Sequence, residues 1–286
     1  AAGSTGKYSW GYNDASTPSA TGLISGQSAT ITENDSAGQQ MTATAAGTMT
    51  VVLDASSPSY SIAAANTTVT LGAFKFHATN EEINLKKVSL QLSNAATSTT
   101  GTASSSPNDL TQVTLWKGAT QVGTAIFTGT NRNATSTLTS DFVIPKDGDA
   151  VLTIKGDLAV IGTSQAGTQG SMIEVDYDGE DSTGTQGTGV SSGTTISQTS
   201  TSDTNVSGVR MFRGYPTLAR VTTGLPTSYG GGGTGIKLYR FSVKANNNDV
   251  GLFKFTFHIA TSTTPQSPGS YSTTTLTNLK VYGYTA

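Results

Sequence analysis

Apolar and polar residues alternate along most of the chain with a period of two. The stretches Val88-Ser89-Leu90-Gln91-Leu92 and Phe253-Lys254-Phe255-Thr256-Phe257 show the pattern most clearly. Successive side chains of a β-strand point to opposite faces, so the pattern predicts strands that bury one face. Further predicted strands cover residues 67–71, 113–116, 122–127, 141–144, 151–154, 172–177, 237–243 and 279–282. No stretch shows sustained helical periodicity, and Gly, Pro, Asn and Ser clusters separate the strands, which predicts an all-β chain of β-sandwiches.

The second half of the chain repeats four blocks of the first half in the same order. Residues 83–90 align without a gap with residues 250–257. The other aligned pairs are 74–76 with 239–241, 96–100 with 260–264, and 110–116 with 276–282. Four ordered blocks predict a tandem array of related modules. The alternative is two unrelated sets of strands that share a Thr-rich composition.

The repeat predicts how the chain is divided. Residues 50–205 form a first β-sandwich module with a Ser/Thr/Gly-rich linker from about residue 182, and residues 206–286 form a second module. The second module looks incomplete, because nothing in it answers to residues 122–158. We expect either that the chain continues or that another subunit supplies those strands. Residues 1–49 are predicted to be an extended N-terminal segment, either the end of a preceding module or an arm donated to a neighbour.

Composition excludes several classes of protein. Charged residues make up 12% of the chain, against about 25% in an average protein, and the net charge is −2. Lys and Arg are scattered along the chain, with only Lys86 and Lys87 adjacent, which argues against nucleic-acid binding. Absence of cysteine excludes disulfides, thiolate zinc sites and cysteine catalysis. No apolar run approaches the length of a membrane span, and the Ser/Thr/Gly/Asn bias favours an extracellular protein.

The densest group of candidate metal ligands lies at the end of a predicted strand. It consists of five carboxylates, Glu174, Asp176, Asp178, Glu180 and Asp181. Calcium takes six to eight oxygen ligands, and alternating acidic residues around a glycine turn are typical of such a site. The spacing differs from the EF-hand loop. The alternative is a solvated acidic hairpin with Asp178-Gly179 as its turn.

Other candidate chemistry is weak. Residues 146–149 follow Pro145 and match ordinary turn chemistry. His77 and His258 occupy non-equivalent positions of the two modules, and neither has a second histidine nearby. The glycine run at residues 230–233 lacks the Lys and Ser/Thr ending of a phosphate-binding loop. The sequence therefore carries no enzyme signature, and we expect no catalytic residues.

Three aromatic residues near the start of the chain, Tyr8, Trp10 and Tyr12, are spaced by two. On a strand, this spacing places all three side chains on one face. Such a face either stacks on a sugar ring or packs against a neighbouring module or subunit. Packing is the interpretation that we favour.

Several stretches resemble repeats in large secreted surface proteins of ultra-small candidate-phylum bacteria. They are Thr50-Val51-Val52-Leu53-Asp54-Ala55-Ser56-Ser57-Pro58, Arg210-Met211-Phe212-Arg213-Gly214-Tyr215-Pro216-Thr217, and residues 71–83 and 151–158. The resemblance covers most of residues 50–284 and leaves out the first fifty. It implies tandem Ig-like β-sandwiches in a surface-layer or filament subunit, and no catalytic residues come with it.

These observations predict a structural subunit of an extracellular assembly at the cell surface. Its partners are other copies of itself, joined through strand edges, aromatic patches and bridging calcium. The alternative is an adhesin or carbohydrate-binding stalk module that binds cell-surface glycans.

Overall fold

The structure is a computed structural model that describes residues 6–9, 19–32, 38, 40–42, 46–93, 106–227, 233–259 and 276–284. Contacts divide the chain into two compact units, residues 1–250 and residues 251–286. The described residues contain nineteen β-strands, one short 3₁₀-helix at Pro107–Asp109 and no α-helix. The predicted all-β class is confirmed.

All nineteen strands lie in the first unit. In chain order they are β1 (Lys7–Ser9), β2 (Ala20–Thr21), β3 (Ser28–Ala29), β4 (Gln40–Thr42), β5 (Thr48–Leu53), β6 (Ser61–Ala64), β7 (Thr68–Thr79), β8 (Ile83–Leu92), β9 (Leu110–Lys117), β10 (Thr120–Ala125), β11 (Asn133–Ile144), β12 (Gly148–Leu158), β13 (Met172–Ile173), β14 (Val175–Tyr177), β15 (Gln186–Gly189), β16 (Thr195–Ser197), β17 (Val209–Phe212), β18 (Tyr215–Arg220) and β19 (Phe241–Asn246).

Two antiparallel sheets of five strands form the main body. The first sheet has the order β10-β9-β12-β7-β5. The second has the order β11-β8-β15-β16, and β14 also pairs with β8, beyond the end of β15. One long strand, β8, therefore has β11 along one edge and two short strands, β14 and β15, in sequence along the other.

Aromatic side chains join the two sheets. Phe74 and Phe76 on β7 of the first sheet each lie with their ring centroids 6.0 Å from that of Tyr177 on β14 of the second. Phe76 also meets Phe142 on β11 edge to face at 5.9 Å. All four side chains are fully buried. Each such burial stabilises the fold by about 1.5–3 kcal/mol, so this cluster ties the sheets face to face.

The outer strands of the two sheets are closed against each other. On one side, the Thr139 hydroxyl of β11 donates to the Val122 carbonyl of β10 at 3.3 Å. On the other side, the amide of Thr199, just after β16, donates to the Met49 carbonyl of β5 at 3.1 Å. Such closure protects strand edges that would otherwise pair with another chain.

Smaller sheets complete the strand pairing of the first unit. β13, β17 and β6 form a three-stranded sheet in which β17 runs parallel to β6. The remaining sheets have two strands each and pair β1 with β4, β2 with β3, and β18 with β19.

Two strand pairs far apart in the chain have the same register. In β5 and β7, Thr48 pairs with Thr79, and in β18 and β19, Tyr215 pairs with Asn246. Tyr215 follows Thr48 by the same number of positions as Asn246 follows Thr79, and this common displacement is hereafter the repeat interval. The next residues, Asn80 and Asn247, both have left-handed backbones, with φ of 72° and 69°.

The side chains of this asparagine pair make the same contact. The Asn80 amide donates to the carbonyl of Ala46 at 3.3 Å, and the Asn247 amide donates to that of Arg213 at 3.0 Å. Arg213 follows Ala46 by the repeat interval. The register makes Phe241 the counterpart of Phe74, which corrects by two residues the sequence alignment of 74–76 with 239–241.

Two short hairpins are related by the same repeat interval. In β15–β16, the Gly189 amide donates to the Thr194 carbonyl at 2.9 Å, and the Gly193 amide donates to the Gly189 carbonyl at 2.9 Å. In β2–β3, Gly22 donates to Gln27 at 2.9 Å and Gly26 to Gly22 at 2.8 Å. Gly26 and Gly193 both adopt a left-handed backbone, with φ of 63° and 66°.

Two sequence predictions are corrected. Residues 182–207, predicted as a linker, contribute β15 and β16 to the second sheet, because glycine-rich stretches also form strands where backbones approach closely. The predicted strands at 253–257 and 279–282 are absent, since residues 251–259 and 276–284 lie in no strand. Alternation creates a face that can be buried, whereas a strand also requires a neighbour to pair with.

Candidate functional site

The densest polar chemistry lies on the outer face of the second sheet, where β14 meets β8. Tyr177 pairs with Leu90 and turns its ring into the core. Asp176 pairs with Gln91, and alternation along β14 places Asp176 and Asp178 on the face opposite that ring. Both aspartates are only 2% exposed. Buried carboxylates require hydrogen-bond donors, and the neighbouring strands supply them.

Asp178 is held by side chains of two strands. Its Oδ2 accepts hydrogen bonds from Asn133 Nδ2 on β11 at 2.8 Å and from the Ser89 hydroxyl on β8 at 3.1 Å. Close by, Gln91 Nε2 donates to Asp203 Oδ2 at 2.8 Å. The network therefore fastens the loop that carries Asp203 onto the sheet.

Asp176 is the carboxylate with the most perturbed protonation. Its Oδ1 accepts a hydrogen bond from the Val206 amide at 2.8 Å. Burial, with smaller contributions from the charges of Glu174 and Asp203, raises the pKa of Asp176 to about 6. Burial also raises the pKa of Glu174. Asp176 therefore changes charge in the mildly acidic range rather than near its ordinary value.

The five predicted calcium ligands do not lie in one environment. Asp176 and Asp178 are buried, Glu180 is exposed and Asp181 is intermediate. One oxygen of Asp181 accepts both the amide and the hydroxyl of Thr183 at 3.0 Å. Among the described residues, no group of three or more His, Asp or Glu side chains is placed to hold a metal ion. Calcium binding at this loop stays a prediction.

Sequence reasoning missed a buried glutamate at the turn between β7 and β8. Glu81 is 6% exposed and accepts four hydrogen bonds, from the amides of Gly47, Ser191 and Ser192 and from the Ser192 hydroxyl, at 2.9–3.1 Å. Burial alone acts to raise the pKa of Glu81, but these bonds outweigh it and leave the pKa below its ordinary value. The sequence Glu81-Glu82 contains no signal that separates this buried acid from its neighbour.

Asp109, in the 3₁₀-helix before β9, plays a comparable part and was also missed. It is 1% exposed and accepts the Thr168 amide at 2.7 Å and the Ser171 hydroxyl at 2.5 Å. Both the Glu81 and the Asp109 sites join segments far apart in sequence, and their acceptor oxygens face donors of the protein itself. Such an arrangement stabilises a fold.

The candidate histidine on β7 belongs to a surface ion pair. His77 Nδ1 lies 2.7 Å from Asp149 Oδ1, and Lys75 Nζ lies 3.3 Å from Asp149 Oδ2. All three side chains are more than one-third exposed, so the group contributes little to stability.

The predicted aromatic face is described only at its first residue. Tyr8 lies on β1, is 53% exposed and pairs in register with Met41 of β4, which is 59% exposed. Trp10 and Tyr12 lie outside the described residues. The side chains of Tyr8 and Met41 are therefore accessible for contact with another surface.

Exposed apolar side chains are concentrated in residues 250–259, hereafter the C-terminal segment, and in residues 276–284. Leu252 is 50% exposed, Phe253 is fully exposed and Ile259 is 48% exposed. Phe255 and Phe257 stack on each other with centroids 6.3 Å apart and are still 40% and 45% exposed. So many exposed apolar residues in one short stretch mark a contact surface.

Comparison with known proteins yields little. No protein-family model and no curated protein matches the chain. Among solved structures, a family 123 glycoside hydrolase from Clostridium perfringens aligns with 58% of this chain and 27% of its own, at 8% identity and a TM-score of 0.26. The chain thus spans about a quarter of that structure's length, and so weak a likeness establishes neither a common fold nor a common function. No helix in the described part of the chain has the length and apolar character to cross a membrane.

Proposed function

We propose that this chain is a structural subunit of an extracellular, cell-surface assembly and associates with other copies of itself. The observation that carries the proposal is the exposure of apolar side chains in the C-terminal segment. These residues have the pattern of β8, whose apolar side chains are fully buried. A stretch that has the pattern of a core strand and remains exposed gains stability when a partner covers it.

We further propose that the chain is built from tandem Ig-like β-sandwich repeats, as the sequence resemblance implies. The repeat interval relates β5–β7 to β18–β19 and also relates β2–β3 to β15–β16, which supports this organisation. On this proposal, residues 46–212 form one repeat, and the flanking residues belong to the repeats before and after it.

A structural role rather than catalysis agrees with the state of the buried carboxylates. Glu81, Asp109 and Asp178 each accept hydrogen bonds from the protein's own donors, so their oxygens are used to hold segments together. A general acid or base must instead reach a proton on a substrate. We therefore propose that the chain is not an enzyme.

The test is self-association of the purified chain. It is measured by size-exclusion chromatography with light scattering and by negative-stain electron microscopy. We expect concentration-dependent oligomers, and we expect Leu252→Asp with Phe253→Asp to abolish them. The matched control is Ile126→Asp, because Ile126 is a similarly exposed apolar residue of the sandwich at 59%. Monomers at every concentration, or equal loss with the control, would contradict the proposal.

The alternative function is binding of cell-surface glycans, favoured by the exposed ring of Tyr8. A glycan array that gives a signal with the native chain and none with Tyr8→Ala would support it. The absence of any signal with the native chain would count against it.

Bridging calcium at residues 174–181 is the remaining part of the proposal. Melting curves with calcium and with a chelator test it. A rise in melting temperature with calcium, lost in Glu180→Gln with Asp181→Asn, is the expected result if the loop binds the ion.

A further inference from the structure

We propose that β1 and the β2–β3 hairpin of one copy add to the C-terminal segment of a second copy, in the register by which β14 and β15 pair with β8. This inference rests on the proposed self-assembly and specifies its interface. The hairpin and the C-terminal segment each have a counterpart in the sandwich, and the two counterparts pair with each other there.

The β2–β3 hairpin is the structural counterpart of β15–β16. Ala20 pairs with Ala29 and Thr21 with Ser28, and one repeat interval later Gly187 pairs with Ile196 and Thr188 with Thr195. The turn residues Gly22, Ser25 and Gly26 recur as Gly189, Ser192 and Gly193. The two hairpins are the same structural unit, because they share the register, the turn hydrogen bonds and the left-handed glycine.

The C-terminal segment is the sequence counterpart of β8. The register of β18–β19 and the left-handed Asn247 carry the repeat interval up to the start of the segment. Beyond it, Ile83, Leu85 and Leu92 correspond to Val250, Leu252 and Ile259. An apolar residue stands at each of these positions, so the segment can form a strand with the same buried face.

Inside the sandwich, the counterparts of the hairpin and of the segment pair with each other. β15 pairs directly with β8, with Gly189 opposite Ile83 and Gly187 opposite Leu85. β14 continues along the same edge, with Val175 opposite Leu92. Both β14 and β15 are hydrogen-bonded directly to β8, so the same pairing between two copies would need only the hairpin with β1 and the C-terminal segment.

The register expected between two copies is obtained by shifting β14 and β15 back, and β8 forward, by one repeat interval. Gly22 of one copy lies opposite Val250 of the second, and Ala20 lies opposite Leu252. Further along, Tyr8 lies opposite Ile259. Tyr8 is 53% exposed, and on the other copy Leu252 is 50% and Ile259 48% exposed. Pairing therefore buries apolar surface on both copies.

Chain order points to a second copy as the partner. In the sandwich, β14 and β15 come after β8, whereas β1 and β2 come before the C-terminal segment. Head-to-tail contact between two copies places the hairpin of one copy after the segment of the other, which is the order of the sandwich. A head-to-tail contact of this kind uses two different surfaces and propagates into a filament. The sandwich edges themselves are closed at β10–β11 and β5–β16.

The experiment uses the absence of native cysteine. Ala20→Cys and Leu252→Cys are introduced into separate chains, which are mixed and oxidised. Directly opposed residues of an antiparallel pair have Cβ atoms about 4.5–5.5 Å apart, close enough to cross-link with small adjustment. We expect a disulfide-linked dimer from this matched pair and severalfold less from the mismatched control, Ala20→Cys with Ile259→Cys.

The outcomes separate this inference from the proposed function. Oligomers without preferential cross-linking of the matched pair would overturn the inference and leave self-assembly standing, whereas monomers without cross-links would overturn both. A double variant that carries both cysteines tests the second copy as partner. Cross-linked monomer as its main product in dilute solution would show that a chain pairs with itself, and would overturn the inference.

Discussion

Residues 83–92 and residues 250–259 have apolar residues at the same five positions and differ in what surrounds them; the second stretch has one more, Phe253, where the first has the exposed Lys86. In the first stretch, which is β8, the side chains of Ile83, Leu85 and Leu90 are fully buried. In the second, Leu252 and Phe257, the counterparts of Leu85 and Leu90, are 50% and 45% exposed, and no residue from 251 to 259 lies in a strand. The difference comes from neighbours, because β8 has β11 on one side and β14 and β15 on the other.

The comparison separates two properties that a sequence pattern combines. Alternation specifies which face of a segment can be buried. Burial itself depends on strands from elsewhere in the sequence, whose pairing supplies the backbone hydrogen bonds and covers the apolar face. A segment with the first property and without the second is ready to bind a partner.

The largest expected effect comes from a matched pair of leucines at equivalent positions. Leu85→Ala leaves a cavity in the sandwich core and should lower the free energy of unfolding by about 2–5 kcal/mol. Leu252→Ala removes a half-exposed side chain and should change it by less than about 0.5 kcal/mol. Urea denaturation monitored by tryptophan fluorescence measures both.

Self-association should show the opposite order. Leu252→Ala should weaken oligomer formation in light scattering, whereas Leu85→Ala, studied below its melting temperature, should leave it intact. Equal destabilisation by the two variants would mean that the C-terminal segment is already packed within its own chain, and the comparison would fail.

The second expected effect is a pH dependence that arises from Asp176. The pKa of this aspartate is about 6 in the folded chain and 3.8 ordinarily, so between these pH values the folded state holds a proton that the unfolded state has lost. Stability contributed by the protonated form is therefore lost as pH rises from about 4 to about 6. The loss amounts to at most about 3 kcal/mol.

Asp176→Asn should remove this part of the pH dependence. Its Oδ1 can still accept the Val206 amide, and no charge is buried, so the variant should be more stable than the native chain at about pH 7.5 and similar to it at about pH 4. Differences between the two denaturation profiles isolate Asp176 from the other carboxylates. Ser9 is the counterpart of Asp176 in β1, so Ser9→Ala serves as a control that should leave the profile unchanged.

The third expected effect concerns the buried glutamate at the β7–β8 turn. Glu81→Ala leaves the amides of Gly47, Ser191 and Ser192 without their acceptor and should cost about 1–3 kcal/mol in denaturant unfolding. Its neighbour provides the control, because Glu82→Ala removes a side chain that takes no part in this set of bonds. The pKa of Glu81 is lowered in the fold, so its contribution should be lost as pH falls from the ordinary value of 4.5 through the lower pKa of the folded chain. A native-like Glu81→Ala variant would show that the turn holds without the carboxylate.

Much of the fold was predictable because local patterns determine strands where partners exist. Alternation located β8, β9, β12 and the β13–β14 region, and Gly and Pro clusters marked the connections between them. The sequence failed where pairing overrides local composition. Gln186–Gly189 lacks apolar residues and still forms β15, since β8 offers it an edge.

The polar network was only partly predictable. The acidic run at residues 174–181 pointed to the right face of the sheet, but its composition could not reveal that Asn133 and Ser89 donate to Asp178. Those donors lie 45 and 89 residues away in sequence, and only strand pairing brings them together. The same applies to Glu81, whose donors come from residues 47, 191 and 192.

The smallest expected effect tests whether the two regions share local structure even though their burial differs. Asn80→Ala and Asn247→Ala place alanine in a left-handed backbone, which costs about 1–2 kcal/mol. Asn80→Ala should lower global stability by that amount, whereas Asn247→Ala should act on its own hairpin and on its bond to the Ala65 carbonyl, and should speed amide hydrogen exchange in β18 and β19. Replacement by glycine relieves the backbone cost and leaves only the loss of the bond to Ala46, or of those to Arg213 and Ala65, so both glycine variants should be milder. If Asn247→Ala left exchange in β18 and β19 unchanged, the left-handed Asn247 would contribute no measurable stability to its hairpin, although the two turns share their geometry.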